Sequence, residues 1–130
     1  LRFADSILRP GILIPAYHKQ VVAEMEKELV GLGLFTAEEA AAQDETKPLV
    51  KKYFMHGTSH HLGIDVHDVS PPAAPVAPGM VFTIEPGIYI REENLGVRLE
   101  NDYLIGETEN TDLMATIPIG SDEIEALMKA

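Results

Sequence analysis

Two strand-like runs, residues 80–90 and 96–105, are separated by only a short polar stretch. A connection that short returns its flanks alongside each other, so the chain must contain an antiparallel hairpin. Side chains alternate along each run. Phe82 and Ile84 therefore share one face, and Thr83 and Glu85 the other. In the second run Val97 and Leu99 oppose Arg98 and Glu100. Placing Glu85 directly across from Glu100 pairs Ile90 with Leu95 and leaves residues 91–94 as a four-residue loop, a common hairpin length. A bulge at Pro86-Gly87 would shift this register by one. Directly opposed side chains have Cβ atoms about 5 Å apart, so two carboxylates there repel unless a cation lies between them. The alternative is a solvated strand face on which Arg98 is a surface ion-pair partner for Glu100.

The first half of the chain reads as helical. Residues 1–15 contain Pro10 and Pro15 and are expected as loop and short turns. Val22, Met25, Leu29 and Leu32 recur at three- and four-residue steps, which predicts a helix from Tyr17 to about Leu32, closed by Gly31 and Gly33. Thr36 with Glu39 forms the pattern of a capping box opening a second, short helix that fades by Asp44. Pro48 restarts the chain before an apolar segment at 49–54. A proline-rich link at 71–78 is excluded from helix and central strand. Ser121 is expected to cap a short C-terminal helix. The fold class is α+β, helices first and the hairpin after.

Between the two halves lies MHGTSHHLGIDVHD, residues 55–68, with four of the five histidines in the chain. His56 and His60 are four apart and fall on one side of either a helix or a strand. Gly57 and Gly63 argue for a tight, irregular path with backbone close to a ligand. Alternation in residues 64–67 sets Asp65 and His67 opposite Ile64 and Val66. A lone histidine is usually structural, but this density beside glycines marks a candidate site. His61 breaks the spacing and is expected to stack or face solvent. One imidazole with carboxylates suits Mn²⁺, Co²⁺ or Zn²⁺ better than copper or an iron–sulfur cluster. A pair of such ions lowers the pKa of a water from 15.7 toward about 7.

Composition narrows the function further. Ten basic residues against 21 acidic ones give a formal charge of −11. That charge repels phosphate backbones and argues against nucleic-acid partners. The absence of cysteine removes disulfides, thiolate nucleophiles and Cys-type zinc sites. No apolar stretch approaches the roughly 20 residues needed to span a bilayer, and a cytoplasmic location is the default expectation. No GxSxG elbow, HExxH helix or GxxxxGK[ST] loop is present. Ser59 by itself makes no Ser–His–Asp triad. With 130 residues, 45% of them hydrophobic, the chain supports one domain or a piece of one. Its opening at Leu1, in sequence that reads like the middle of something, suggests an excised or truncated segment.

Three segments together resemble one family. HGTSHHLGIDVHD (56–68), GMVFTIEPGIYI (79–90) and GVRLENDYLI (96–105) are similar to the C-terminal motifs of aminopeptidase P and prolidase. The closing SDEIEALM (121–128) is similar to that family's last helix. The resemblance is strong over residues 50–130 and loose over the front helices. It implies the second half of a pita-bread domain, with helices packed on an antiparallel sheet. It also implies two divalent metal ions, manganese in the first instance, held by two Asp, one His and two Glu. Carried over by motif, His60 and Glu85 would ligate one ion, Glu85 doubling as a proton-handling base, and Glu100 would bridge both. His56 and His67 would line the substrate site, with His67 stabilising charge on the attacked carbonyl. Arg98 would orient substrate or the carboxylates. The implied partner is a peptide with proline at its second position.

The departure from the family pattern lies upstream. The two Asp ligands expected on a strand pair, and a third histidine, have no counterpart before His56, where Asp5 and Asp44 stand isolated. The chain would then carry three of five ligands, be inactive alone, bind metal weakly, and self-associate through surface meant for the missing half. Two other functions share these motifs: a non-catalytic peptide-binding module of the same fold, and a creatinase-type hydrolase of a non-peptide C–N bond.

Overall fold

The computed structural model of the chain describes residues 1–70 and 73–129. Its elements in order are α1 (Arg2–Ile7), α2 (Ile14–Gly31), α3 (Ala37–Ala42), α4 (Val50–Tyr53), β1 (Val81–Ile84), β2 (Gly87–Ile90), β3 (Leu95–Arg98), β4 (Asn101–Leu104), β5 (Thr111–Asp112) and α5 (Ser121–Met128). The expected α+β order is found, with helices packed on antiparallel sheet.

The sequence signals explain most of the boundaries. Pro15 sits in the first turn of α2, where its missing N–H costs nothing. The helix closes in a Schellman motif. Gly33 adopts φ +74°, the Leu34 N–H donates to the Leu29 carbonyl, and the Gly33 N–H donates to that of Val30. The capping box of α3 is formed in both directions: Thr36 Oγ1 accepts from the Glu39 N–H at 3.1 Å, and Glu39 Oε2 from the Thr36 N–H at 2.7 Å.

Four expectations need correcting. Residues 2–7 are helix rather than loop; Ala4 and Leu8, one turn apart, are buried there, and Pro10 and Pro15 act only after the helix has ended. Helix α2 begins three residues earlier than Tyr17, at Ile14. The cap of α5 is Gly120, whose carbonyl takes the Ile124 N–H, while Ser121 is already helical and makes no capping bond. Each long strand is broken in two, at Glu85-Pro86 and at Leu99-Glu100. Of the link at 71–78, residues 71 and 72 lie outside the described residues; the remainder carries neither helix nor strand.

The register survives the break. β1 pairs with β4, Ile84 opposite Asn101, and β2 pairs with β3, Gly87 opposite Arg98 and Ile90 opposite Leu95. Both ladders keep the pairing expected for Glu85 against Glu100, with no bulge, and the Leu99 N–H still donates to the Pro86 carbonyl at 3.3 Å. The connection 91–94 holds a short 3₁₀ turn closed by Asn94 at φ +52°, a left-handed position that asparagine tolerates. β5 adds a third strand beside β4.

On its other edge β1 is covered by the histidine segment. The Leu62 N–H donates to the Val81 carbonyl, the Thr83 N–H to that of His60 at 3.0 Å, and the Glu85 N–H to that of Thr58 at 2.8 Å. Residues 58–62 therefore run antiparallel to β1 as a further, irregular strand. The core lies between this sheet and α1, α2 and α4. Tyr17, Leu29, Phe54, Phe82 and Ile84 are among its members, each at most 1% exposed. Among the described residues no helix is long and apolar enough to cross a membrane.

Candidate metal centre

Strand β1 and the strip at 58–62 deliver two of the three candidate ligands side by side. His60 projects from the strip, and Glu85 follows the end of β1. Glu100 precedes β4 at the matching break in the paired strand. One ligand atom from each of His60, Glu85 and Glu100 lies within 4.8 Å of the others. His60 and Glu85 are mostly buried, their side chains 21% and 16% exposed, and Glu100 is 36% exposed. Arg98 approaches Glu100, with Nε to Oε2 at 3.5 Å.

The tautomer of His60 fits this set to a cation. Its Nδ1 lies 2.9 Å from the His61 carbonyl, which can only accept, so Nδ1 carries the hydrogen and Nε2 presents its lone pair in the neutral ring. Nε2 faces Glu85 Oε1 at 3.8 Å. Two acceptors turned toward each other, with a second carboxylate beside them, repel when nothing lies between. An imidazole fixed by a carbonyl on its far nitrogen is the usual arrangement of a histidine metal ligand. The residues therefore fit a divalent ion of the borderline class.

The other histidines take distinct places. The exposed His67 stacks its ring edge-on against His60, centroids 4.2 Å apart. Ile64 and Val66 beside it are exposed as well, so the alternation read in 64–67 does not bury an apolar face. His61 lies against Phe82 at 4.1 Å and takes no part in the cluster. His56 is half-buried; its Nδ1 lies 2.6 Å from the Gly57 carbonyl and its Nε2 2.9 Å from the Tyr89 hydroxyl. Donation from Nδ1 to the carbonyl leaves Nε2 to accept from Tyr89 when the ring is neutral.

Tyr89 went unnoticed in the sequence, and glycines hold it. It shares a face of the β2–β3 ladder with Gly87, two residues away, and with its cross-strand partner Gly96. A Cβ on Gly87 would come within 2.8 Å of the Tyr89 hydroxyl, and one on Gly96 within 3.0 Å of its ring. The ring thus occupies space that two absent side chains leave open. Asp5 and Asp44 are engaged elsewhere: Asp5 accepts from Asn110, and Asp44 from the Thr46 backbone and hydroxyl.

The arrangement defines a class, a protein that gathers one imidazole and two carboxylates at paired strands beside an exposed histidine. The model of metallopeptidase family M24 matches residues 2–107. The Xaa-Pro aminopeptidase of Escherichia coli (strain K12) is 40% identical over 138 residues, covering 95% of this chain and 30% of its own length. Xaa-Pro aminopeptidase 1 of Streptomyces coelicolor is 35% identical over 140 residues, covering 95% of this chain and 28% of its own. A solved structure of zinc-substituted E. coli aminopeptidase P in complex with product superposes with a TM-score of 0.83 at 38% identity, over 98% of this chain and 31% of that one. The chain belongs to metallopeptidase family M24, and its helices and antiparallel sheets are part of the pita-bread fold. It spans less than a third of the length of these relatives.

Proposed function

We propose that this chain is the C-terminal portion of the catalytic domain of a two-metal, proline-specific aminopeptidase that hydrolyses the bond between a peptide's first residue and a following proline. The observation that carries the reading is the convergence of His60, Glu85 and Glu100, with Nε2 of His60 turned toward the carboxylates. His60 and Glu85 would hold one ion, and Glu100 would bridge to a second completed by two upstream aspartates. Bound divalent ions, manganese in the first instance, would lower the pKa of a water and polarise the scissile carbonyl. Glu85 would take up and pass on a proton at its carboxylate. His67, exposed beside His60, would donate to the carbonyl oxygen as charge develops there. His56, steadied by Tyr89, and Arg98, beside Glu100, would line the substrate site.

With three of five ligands the 130-residue chain alone is expected to be inactive and to bind metal weakly. We place the protein in the cytoplasm, acting on peptides and not on nucleic acid. We also expect it to self-associate, for which the exposed apolar Leu95 and Val97 of β3 offer surface. The test is Glu100→Ala in the full-length protein, assayed on Xaa-Pro peptides, Xaa-Pro dipeptides and non-peptide C–N substrates. Loss of more than about a thousandfold in kcat/KM on the peptides, about 4 kcal/mol of transition-state stabilisation, is expected. Undiminished activity would sink the proposal, and activity confined to non-peptide substrates would move it to the creatinase type.

A further inference from the structure

The strip that carries His60 is held on both sides. Toward the sheet, the Thr58 carbonyl accepts the Glu85 N–H at 2.8 Å, and the His60 N–H donates to Thr83 Oγ1 at 3.2 Å. Toward the helices, two successive residues in the first turns of α2 reach two successive residues of the strip. The Tyr17 hydroxyl lies 3.1 Å from Ser59 Oγ, and His18 Nδ1 lies 2.9 Å from Thr58 Oγ1. Tyr17 is fully buried and Thr58 is 1% exposed, so water does not replace these bonds readily.

Thr58 is thus a junction. Its side chain is fixed by α2, and its carbonyl fixes the backbone of Glu85. Two residues on, the same strip presents His60. Neither Tyr17 nor His18 contacts a candidate ligand. Both anchor the segment that carries His60 and whose Thr58 carbonyl holds the Glu85 backbone. Helix α2 runs for 18 residues and buries Tyr17, Val21 and Leu29 in the core, so it gives the strip a packed reference.

We propose that Tyr17 and His18 are positioning residues that tune metal affinity by bracing Thr58 and Ser59, and through them the alignment of His60 with Glu85. This rests on the assignment of His60 and Glu85 as ligands. Partners that orient metal ligands are typically worth about 10–100-fold in affinity, and a brace acting through one intervening residue belongs at the low end, about tenfold.

The experiment titrates Mn²⁺ by calorimetry into the full-length wild type, Thr58→Val, Thr58→Ser, His18→Leu and the Thr58→Val/His18→Leu double variant, with the metal-free Tm of each recorded. Thr58→Val keeps the buried shape and removes the hydroxyl; Thr58→Ser keeps the hydroxyl. Both Thr58→Val and His18→Leu are expected to weaken Kd about tenfold, and the double variant no further than either, because all three sever one contact. Thr58→Ser should bind as the wild type does. Wild-type affinity in His18→Leu and Thr58→Val, or an additive loss in the double variant, overturns the brace while leaving the ligands standing. Equal losses in Thr58→Ser and Thr58→Val overturn it too, since the hydroxyl would not be responsible. If Thr58→Val does not fold, His18→Leu, on a half-exposed helix face, decides alone. A wild type that binds no Mn²⁺ refutes the ligand assignment and this inference with it.

Discussion

Replacing Gly87 by alanine should uncouple Tyr89 from His56 while leaving the protein folded. Gly87 does not adopt a positive φ, so the backbone accepts alanine, and the loss of unfolded-chain freedom contributes about 0.4–1 kcal/mol in favour of folding. Against this, the new Cβ would stand 2.8 Å from the Tyr89 hydroxyl and 3.1 Å from two ring carbons, where ordinary contact begins at 3.4 Å. The obstructing atoms are the far end of a side chain, so the ring moves rather than the strand. A shift of about 0.6 Å restores contact distance. Directed away from His56, it stretches the 2.9 Å bond to Nε2 to about 3.5 Å, past useful hydrogen-bonding range. The lost bond costs about 0.5–1.5 kcal/mol net. The two contributions nearly offset, so thermal denaturation should show a change within about 1 kcal/mol. Histidine-ring ¹⁵N spectra should report altered His56 resonances matching those of Tyr89→Phe. A loss above about 3 kcal/mol would show that the ring cannot yield. Unchanged His56 resonances would show that the glycine does not govern the bond. Either result would refute the reasoning.

Burial pushes the Tyr17 phenol to about 12, whereas the unfolded chain ionises near 10. The stability Tyr17 contributes below pH 10 should therefore be lost as pH rises from 10 to 12, by up to about 2–3 kcal/mol, and Tyr17→Phe should flatten that part of a denaturation-versus-pH curve. Phe82, 1% exposed between His61 and the core, should cost about 3–5 kcal/mol as Phe82→Ala in a urea titration. Thr36→Ala removes one half of the α3 capping box and should cost about 1 kcal/mol by the same measurement, with no change in metal affinity.

The parts of this structure legible in the sequence are those set by local rules. Side-chain alternation and loop length were enough to pair Ile90 with Leu95 and bring Glu85 and Glu100 to the same level of the hairpin. Thr36 and Glu39 announced their capping box because both partners lie within one turn. What escaped depends on distant partners. Helix α1 has six residues and no side-chain cap, so it is held by burial of Ala4 and Leu8, which no local pattern expresses. Tyr89 meets His56 across 33 positions, and His18 meets Thr58 across 40; such contacts leave no periodic trace. Tyr89 had one faint signal, the glycines at 87 and 96, visible only once the register was known. The break at Pro86 follows from its missing N–H, yet the alternation carried across it unchanged.

That unchanged phase has a consequence for how the family can vary. The level of Glu85 against Glu100 is secured from one side, by β1, β4 and the strip at 58–62, and owes nothing to the far tip at 91–94. Residues can be gained or lost at that tip, or whole new loops grafted onto it, without moving either carboxylate. The same change made within β1 or β4 would slide one carboxylate past the other. Evolution and engineering alike are therefore free at one end of this hairpin and bound at the other.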